Sequence, residues 1–239
     1  MSGLEAPPRS RLRAVTFDVT GTLIHCPRLG EIYAEVLGRH RSDANASDVA
    51  RLFPEVYREM ACASPAFLDR FTQHPEGARG WWSDLVSRLC ARLGLQPPSP
   101  FAVAELYQRF AHAPAWTVYD DVADSLELLS SAGFRLAIVS NWDERLEPLL
   151  VELGLRSAFD AVVTSSAVGL AKPHPAIFQR ALERLGAAAD QTIHVGDQRL
   201  EDLEGARAAG LHALLLHRRG TDDGALVAVA RQLAAAPFG

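Results

Sequence analysis

The sequence predicts an α/β protein, a doubly wound parallel sheet with an inserted all-helical cap domain. Three features lead there. Over the second half, short apolar runs alternate with amphipathic stretches, and each amphipathic stretch stops at a glycine. Such alternation implies right-handed βαβ crossovers and a parallel sheet covered on both faces. A further apolar run near the start ends at Asp18, and the segment between it and the alternating half has helical periodicity throughout.

The elements follow in order. Ala14-Val15-Thr16-Phe17 breaks at Asp18 with Gly21 close behind, the pattern of a buried strand leading into a tight turn. From about Pro27, apolar residues recur at helical spacing over 32–37, 49–57, 85–93 and 103–110, with breaker clusters at 74–80 and 96–100. No strand pattern, internal repeat or low-complexity tract is found there. After Trp116 come helix 122–132, strand 135–140, helix 144–153 and strand 161–164. Helix 176–185, strand 192–195, helix 201–209 and strand 212–216 complete the series. Gly133, Gly154, Gly186 and Gly210 close the four helices as left-handed stops. The first strand belongs with this later half. The expected domains are therefore a core at 11–26 and 115–239 and a helical cap at 27–114.

Composition narrows the function classes. With 48% apolar and 22% charged residues in 239, the chain is an ordinary globular protein of one large domain, or of a core with a small partner. A net charge of −5 and the lack of a long basic run exclude a general attraction for nucleic acid. An anionic substrate must then be drawn in by local positive groups. No stretch approaches the roughly 20 apolar residues of a membrane span, and residues 1–10, with Pro7 and Pro8, do not read as a signal peptide. Cys26, Cys62 and Cys90 lack metal-ligand or CxxC spacing and read as reduced, structural residues of a cytoplasmic protein.

In open parallel sheets chemistry gathers at the carboxyl ends of the strands. The first strand delivers Asp18, the second Ser140, and the fourth Asp197 through Gly196, while Lys172 lies in the loop after the third. Taken singly each is bland: an Asp after a strand usually caps a helix or forms a turn, and a loop Lys is usually solvated. Four on consecutive elements of one sheet form a set. Asp18-Val19-Thr20-Gly21-Thr22-Leu23 resembles the first motif of the haloacid dehalogenase-like hydrolase superfamily. Ser140 resembles its second motif, Lys172 its third, and Gly196-Asp197 with Asp202 its fourth, all in the family's order. The insertion after the first motif is similar to the helical cap of the cap-one class. The run Phe-Asp-Val-Thr-Gly-Thr-Leu and the Trp81-Trp82 pair are similar to the haloacid dehalogenase-like hydrolase domain-containing protein 3 group.

The resemblance implies a Rossmann-like core and a magnesium-dependent phosphatase that attacks a small phosphorylated molecule through Asp18, by way of an aspartyl-phosphate. It implies Mg²⁺ on Asp18, the backbone carbonyl of Thr20 and Asp197, with Asp202 in support. Lys172 would add positive charge, Ser140 would donate to a phosphoryl oxygen, and Asn141 would face the substrate. Hard oxygen ligands suit magnesium and not zinc. One position departs from the pattern, since Thr20 stands where most phosphatases of the family carry a second Asp that works as acid and base. A hydroxyl cannot titrate near neutral pH, and positioned acid–base catalysis contributes about 10²–10⁴-fold. Slow turnover is expected.

Two alternatives stay open: a dehalogenase needing no metal, and a phosphate-binding regulatory protein of weak activity. Among the remaining residues, Trp81 and Trp82 read as cap core, Arg79 as surface and Asp143 as a helix N-cap. His25 reads as a partly exposed loop residue, and His174 and His194 as structural. The chain is expected to act as a monomer or homodimer.

Overall fold

The structure, a computed structural model, describes residues 12–63, 67–220 and 224–235. The reading of 1–10 and the outer domain limits at 11 and 239 lie outside the described residues. Strand β1 (Ala14–Phe17) is followed by the short β2 (Ile24–His25). Helices α1 (Leu29–Arg39), α2 (Ala46–Ala63), α3 (Arg70–Gln73), α4 (Gly77–Arg92) and α5 (Pro100–Arg109) come next. Strand β3 (Thr117–Val118), α6 (Val122–Ser131), β4 (Arg135–Ser140), α7 (Leu146–Glu152) and β5 (Ala161–Thr164) return the chain to the sheet. Then follow α8 (Ser165–Val168), α9 (Pro175–Leu185), β6 (Thr192–Gly196), a π-helical segment (Arg199–Glu204), α10 (Gly205–Ala208), β7 (His212–Leu215) and α11 (Ala225–Ala234).

Five strands form one parallel sheet in the order β5-β4-β1-β6-β7. Strand β1 is central, with Phe17 in register with Ile138 on one side and Val195 on the other. Burial on both faces explains its unbroken apolar pattern, and the hydroxyl of Thr16 finds His194 Nδ1 at 2.9 Å. One face packs Val15, Phe17 and Ile138 against Leu126 of α6, Leu149 of α7 and Leu226 of α11. The other packs Val139 and Val163 against Ile177 and Phe178 of α9. The sheet is doubly wound.

Helices α1 to α5 enclose a separate apolar cluster built on Tyr33, Val36, Leu37, Trp81, Leu85, Leu89 and Leu106. The chain leaves and re-enters the core through a two-residue antiparallel ladder, Ile24 opposite Val118 and His25 opposite Thr117. Alternation over two residues is too short to read as a strand, which is why the sequence pattern passes over both. We propose the cap limits at 27 and 114, next to this crossing.

Two other details differ from the expected elements. The 74–80 breaker is partly helical, because α4 starts at Gly77; a side chain at Gly80 would overlap the His74 ring. The expected helix 201–209 is a π-helical segment running into α10. Its wide turn is closed where Leu203 N donates to Gln198 O at 3.3 Å, and it is held by Gln198 N donating to Asp202 Oδ2 at 2.8 Å.

A buried ion pair fixes the turn that follows β1. Arg218 Nη1 donates to Asp121 Oδ1 at 2.8 Å, and Arg218 Nη2 to the Thr22 carbonyl at 2.6 Å. The second Asp121 oxygen accepts from Leu226 N at 2.7 Å, at the start of α11. Removing the Asp121 carboxylate takes this partner from the buried guanidinium and the acceptor from Leu226 N, and breaking a buried pair costs about 3–5 kcal/mol. Asp121→Ala is therefore expected to lower unfolding stability by about that amount in urea titration; a loss below about 1 kcal/mol would refute the assignment.

Candidate active site

Asp18 extends the β1 ladder, its N–H donating to the Val195 carbonyl at 3.0 Å, and its side chain stands at the carboxyl edge of the sheet, 7% exposed. Because β1 is flanked by β4 and β6, Ser140 and Asp197 arrive on either side of it. The Oδ1 atom of Asp18 accepts from Ser140 Oγ at 2.8 Å and from Lys172 Nζ at 2.6 Å. Among the described residues no hydrogen bond engages its Oδ2. Two donors on one oxygen fix the carboxylate's rotation and leave the other oxygen available.

Lys172, 4% exposed, also donates to Asp202 Oδ1 at 2.6 Å. That oxygen also meets His194 Nε2 at 3.1 Å, and the other accepts from Gln198 N. A continuous chain of contacts thus runs from Thr16 through His194, Asp202 and Lys172 to Asp18. His194 is structural in it. His174 caps α9, its Nδ1 accepting from Ala176 N at 3.1 Å.

Burial sets the electrostatics of the cluster. It opposes charge on Lys172, yet the charges of Asp18 and Asp202 outweigh it and hold the ammonium above its ordinary value. It also opposes charge on Asp202, but Lys172 and His194 hold that carboxyl well below the usual range. On Asp18 burial prevails and raises the value, with Asp202 repulsion added and Lys172 working against it. Burial and then the charge of Asp18 push Asp197 up to about 7.

Two glycines make this crowding sterically feasible. Gly21 adopts φ +85°, and a β-carbon there would lie 2.7 Å from Asp197 Cγ. A β-carbon at Gly196 would overlap the Asp202 carboxylate.

The site opens into a cavity of about 600 Å³ between sheet edge and cap. Asp18, Thr20, Ser140, Asn141 and Asp197 line it, whereas Lys172 and Asp202 lie behind Asp18. Thr20 is exposed, and its Oγ1 accepts from Trp142 Nε1 at 3.0 Å. The Asn141 amide donates to the Lys172 carbonyl at 3.1 Å and to Glu201 Oε2 at 2.9 Å, and its oxygen accepts from Lys172 N at 2.7 Å. Every expected site residue is therefore at one location. His25, half-buried in β2 and stacked on Tyr119 at 4.5 Å, also lines the cavity; burial and the Arg218 charge lower its value.

Sequence reading missed several residues. Trp142 and Glu201 each adjoin a motif residue, and that adjacency was the only available clue. Asp143 is not the N-cap of α7: it is buried in an ion pair with Arg145 at 2.6 Å and accepts from Trp82 Nε1 at 2.8 Å. Trp81 is cap core, but Trp82 bonds across to the core domain. Arg79 is exposed, with its guanidinium over the Tyr107 ring.

Known proteins resemble this chain in sequence and fold. A family model of haloacid dehalogenase-like hydrolases matches residues 12–210. The chain belongs to that family. It is 38% identical to human haloacid dehalogenase-like hydrolase domain-containing protein 3 over 211 residues, 87% of this chain and 83% of that one. It is 28% identical to a glyceraldehyde 3-phosphate phosphatase of Methanopyrus kandleri over 223 residues, 89% of this chain and 87% of that one. The crystal structure of an L-2-haloacid dehalogenase superposes with a TM-score of 0.73 at 23% identity, covering 94% of this chain and 99% of that one. The fold is therefore common to phosphatases and dehalogenases, and the chain is a hydrolase. Among the described residues no helix is long and apolar enough to cross a membrane.

The acids of this hydrolase fit a divalent cation. Asp18, Asp197 and Asp202 bring a carboxylate oxygen each within 4.8 Å of one another, and Asp197 Oδ1 is buried without a hydrogen-bond partner. A buried carboxylate oxygen with no donor is costly unless a cation meets it.

The raised value of Asp197 has a consequence for stability. Between the ordinary carboxylate range and about pH 7, the folded state keeps a proton that the unfolded chain has released. Stability without metal should therefore fall as pH rises through that window and level off above it. Asp18, also raised, acts in the same direction. In melting curves recorded in chelator, Tm is expected to drop from about pH 5 to about pH 8, and Asp197→Asn to reduce the drop; a flat profile would contradict the electrostatics described.

Proposed function

We propose that the chain is a magnesium-dependent phosphohydrolase acting through an aspartyl-phosphate on a small phosphorylated molecule. The observation that carries this is the oriented Asp18 carboxylate, tied at Oδ1 and free at Oδ2, facing a cavity beside the unpartnered Asp197 oxygen. The 28% identity to a phosphatase over nearly the whole chain supports the same reading.

Magnesium would be held by Asp18, the Thr20 carbonyl and Asp197, and would cancel the repulsion between carboxylate and phosphoryl oxygens. Asp202, whose oxygens already meet Lys172, His194 and Gln198, would support the site from behind by holding Lys172. Asp18 Oδ2 attacks phosphorus, the bond to the alcohol oxygen breaks, and the alkoxide leaves with a proton taken from solvent. Water then cleaves the aspartyl-phosphate and regenerates the carboxylate. Lys172, donating to Oδ1, favours the charged form of Asp18 before attack and meets the carboxylate that hydrolysis of the aspartyl-phosphate releases. Ser140, which orients Asp18, can turn to a phosphoryl oxygen. Asn141, whose amide protons go to the Lys172 carbonyl and Glu201, positions the Lys172 loop and lines the cavity where it would face the substrate.

Thr20 gives this hydrolase no carboxyl to protonate the leaving oxygen or to activate water. Leaving groups that need little protonation, aryl and acyl phosphates, should be preferred. A metal-free dehalogenase is disfavoured by the cluster itself, since burial and Asp202 oppose ionisation of the nucleophile unless a cation is present.

A screen of aryl, acyl and sugar phosphates with and without Mg²⁺ tests the reading. Turnover should require Mg²⁺ and vanish in Asp18→Asn; turnover of 2-haloacids in chelator would replace this reading with dehalogenation. Binding of beryllium fluoride with no hydrolysis on the panel would favour a regulatory protein.

Thr20→Asp places a carboxyl beside the Trp142 indole N–H, which can orient it. Hydrolysis of alkyl phosphates by this variant should rise, within the roughly 10²–10⁴-fold that acid–base catalysis supplies. An unchanged rate in a folded variant would mean that another group already transfers the proton.

A further inference from the structure

One buried cation in the cavity has no part in the chemistry above. Arg70, 8% exposed, opens α3 and lines the same cavity as Asp18. Its guanidinium lies 5.0 Å from the Tyr57 ring centre, 5.2 Å from Phe71 and 5.3 Å from Trp81. Its Nη2 donates to the Asn141 carbonyl at 3.1 Å, one residue from Ser140. Among the described residues it forms no ion pair. Asp69 beside it turns Oδ2 to cap α3, accepting from Phe71 N at 3.1 Å and Thr72 N at 2.8 Å. Glu201, whose charge it feels, is hydrogen-bonded to Asn141.

The position of Arg70 is built. Leu68 pairs in an antiparallel bridge with Leu170, and Asp69 N donates to the Gly169 carbonyl at 3.1 Å. The cap backbone is thereby fastened to the loop that carries Lys172, two residues before Arg70. Of the other arginines in the cavity, Arg145 is neutralised by Asp143 and Arg58 is exposed. A buried guanidinium with one carbonyl and a ring cage for partners is incompletely compensated, and its planar fork matches a carboxylate. Much of the remaining wall on the cap side, including Phe53, Trp82, Val103, Leu106 and Phe110, is apolar.

We propose that Arg70 is a specificity-determining residue that binds a carboxylate on the alcohol portion of the substrate. The substrate class is then a phosphomonoester with an apolar, aromatic body and a carboxylate. This rests on the phosphohydrolase reading and names its substrate. With Glu201, Asp18 and Asp197 on the same cavity, a singly charged group suits Arg70 better than a second phosphate dianion.

Binding of stable phosphonates tests it independently of turnover. In buffer with Mg²⁺, benzylphosphonate and its carboxylated forms, substituted at each ring position, are titrated calorimetrically into the whole protein. At least one carboxylated form should bind about tenfold tighter than the parent, the worth of one charge-assisted contact. Arg70→Met should erase that gap, measured as the ratio of the carboxylated form's affinity to the parent's in the same variant. Arg70→Lys, which keeps the charge but not the fork, should narrow it, and serves if the methionine variant does not fold. Equal affinities in the unaltered protein, no binding of any phosphonate, or a gap that survives both substitutions overturns the assignment. A gap erased in Arg70→Met alongside absence of phosphate hydrolysis would keep Arg70 as the carboxylate reader and remove the phosphohydrolase reading. Hydrolysis without a gap would remove only the role of Arg70.

Discussion

A single buried ammonium holds this site together. Lys172 lies between the carboxylates of Asp18 and Asp202, 2.6 Å from each, with almost no access to water. Burying one charge is prohibitive, and burying three is feasible only when each is paired and hydrogen-bonded. The pairing is nearly complete on Asp202, which is why its carboxyl is held low. It is incomplete on Asp18 and absent on one oxygen of Asp197, so these two remain acids in need of a cation. The same arrangement that keeps Lys172 charged leaves the front of the site short of positive charge. That imbalance makes a divalent cation the natural complement of the cluster and opposes ionisation of Asp18 without one.

The cap is fastened to this centre at several points. Asn141 joins the end of β4 to the Lys172 loop and to Glu201, and its carbonyl receives Arg70 from the cap. Asp143 and Arg145 accept and donate across to Trp82 and to the Tyr107 carbonyl. The Leu68–Leu170 bridge adds a backbone tie. The cavity between cap and sheet is therefore an enclosure with polar anchors at the sheet edge and a largely apolar wall beyond them. Such enclosure excludes water, which strengthens every charge interaction inside it. In the reaction proposed above, with Thr20 in place of a titrating group, that electrostatic strength would carry most of the catalysis.

The sheet, its helices and the four motif positions were legible in the sequence because they depend on local rules. A central strand buried on both faces needs an unbroken apolar run, a helix that stops needs a residue tolerant of positive φ, and strand ends deliver side chains to one edge. Asp18, Ser140, Lys172 and Asp197 followed from those rules and from the family likeness. The β2–β3 crossing was not legible, since two residues carry no periodicity. Nor was the π-helical segment at 199–204, whose wide turn answers to the Asp202 carboxylate and not to its own sequence pattern.

What the sequence by itself determined was the kind of centre: a carboxylate at the end of the central strand, a lysine and further acids on one sheet edge. The tertiary structure decided which atoms remain available. Packing alone shows that Asp18 is tied by one oxygen, that both Asn141 amide protons are taken, that Asp143 anchors Trp82, and that Arg70 and not Arg79 enters the cavity. These depend on contacts between residues far apart in the chain, where burial converts ordinary surface charges into strong ones. Sequence spacing records which side chains exist; only the closed fold sets what water is removed from each.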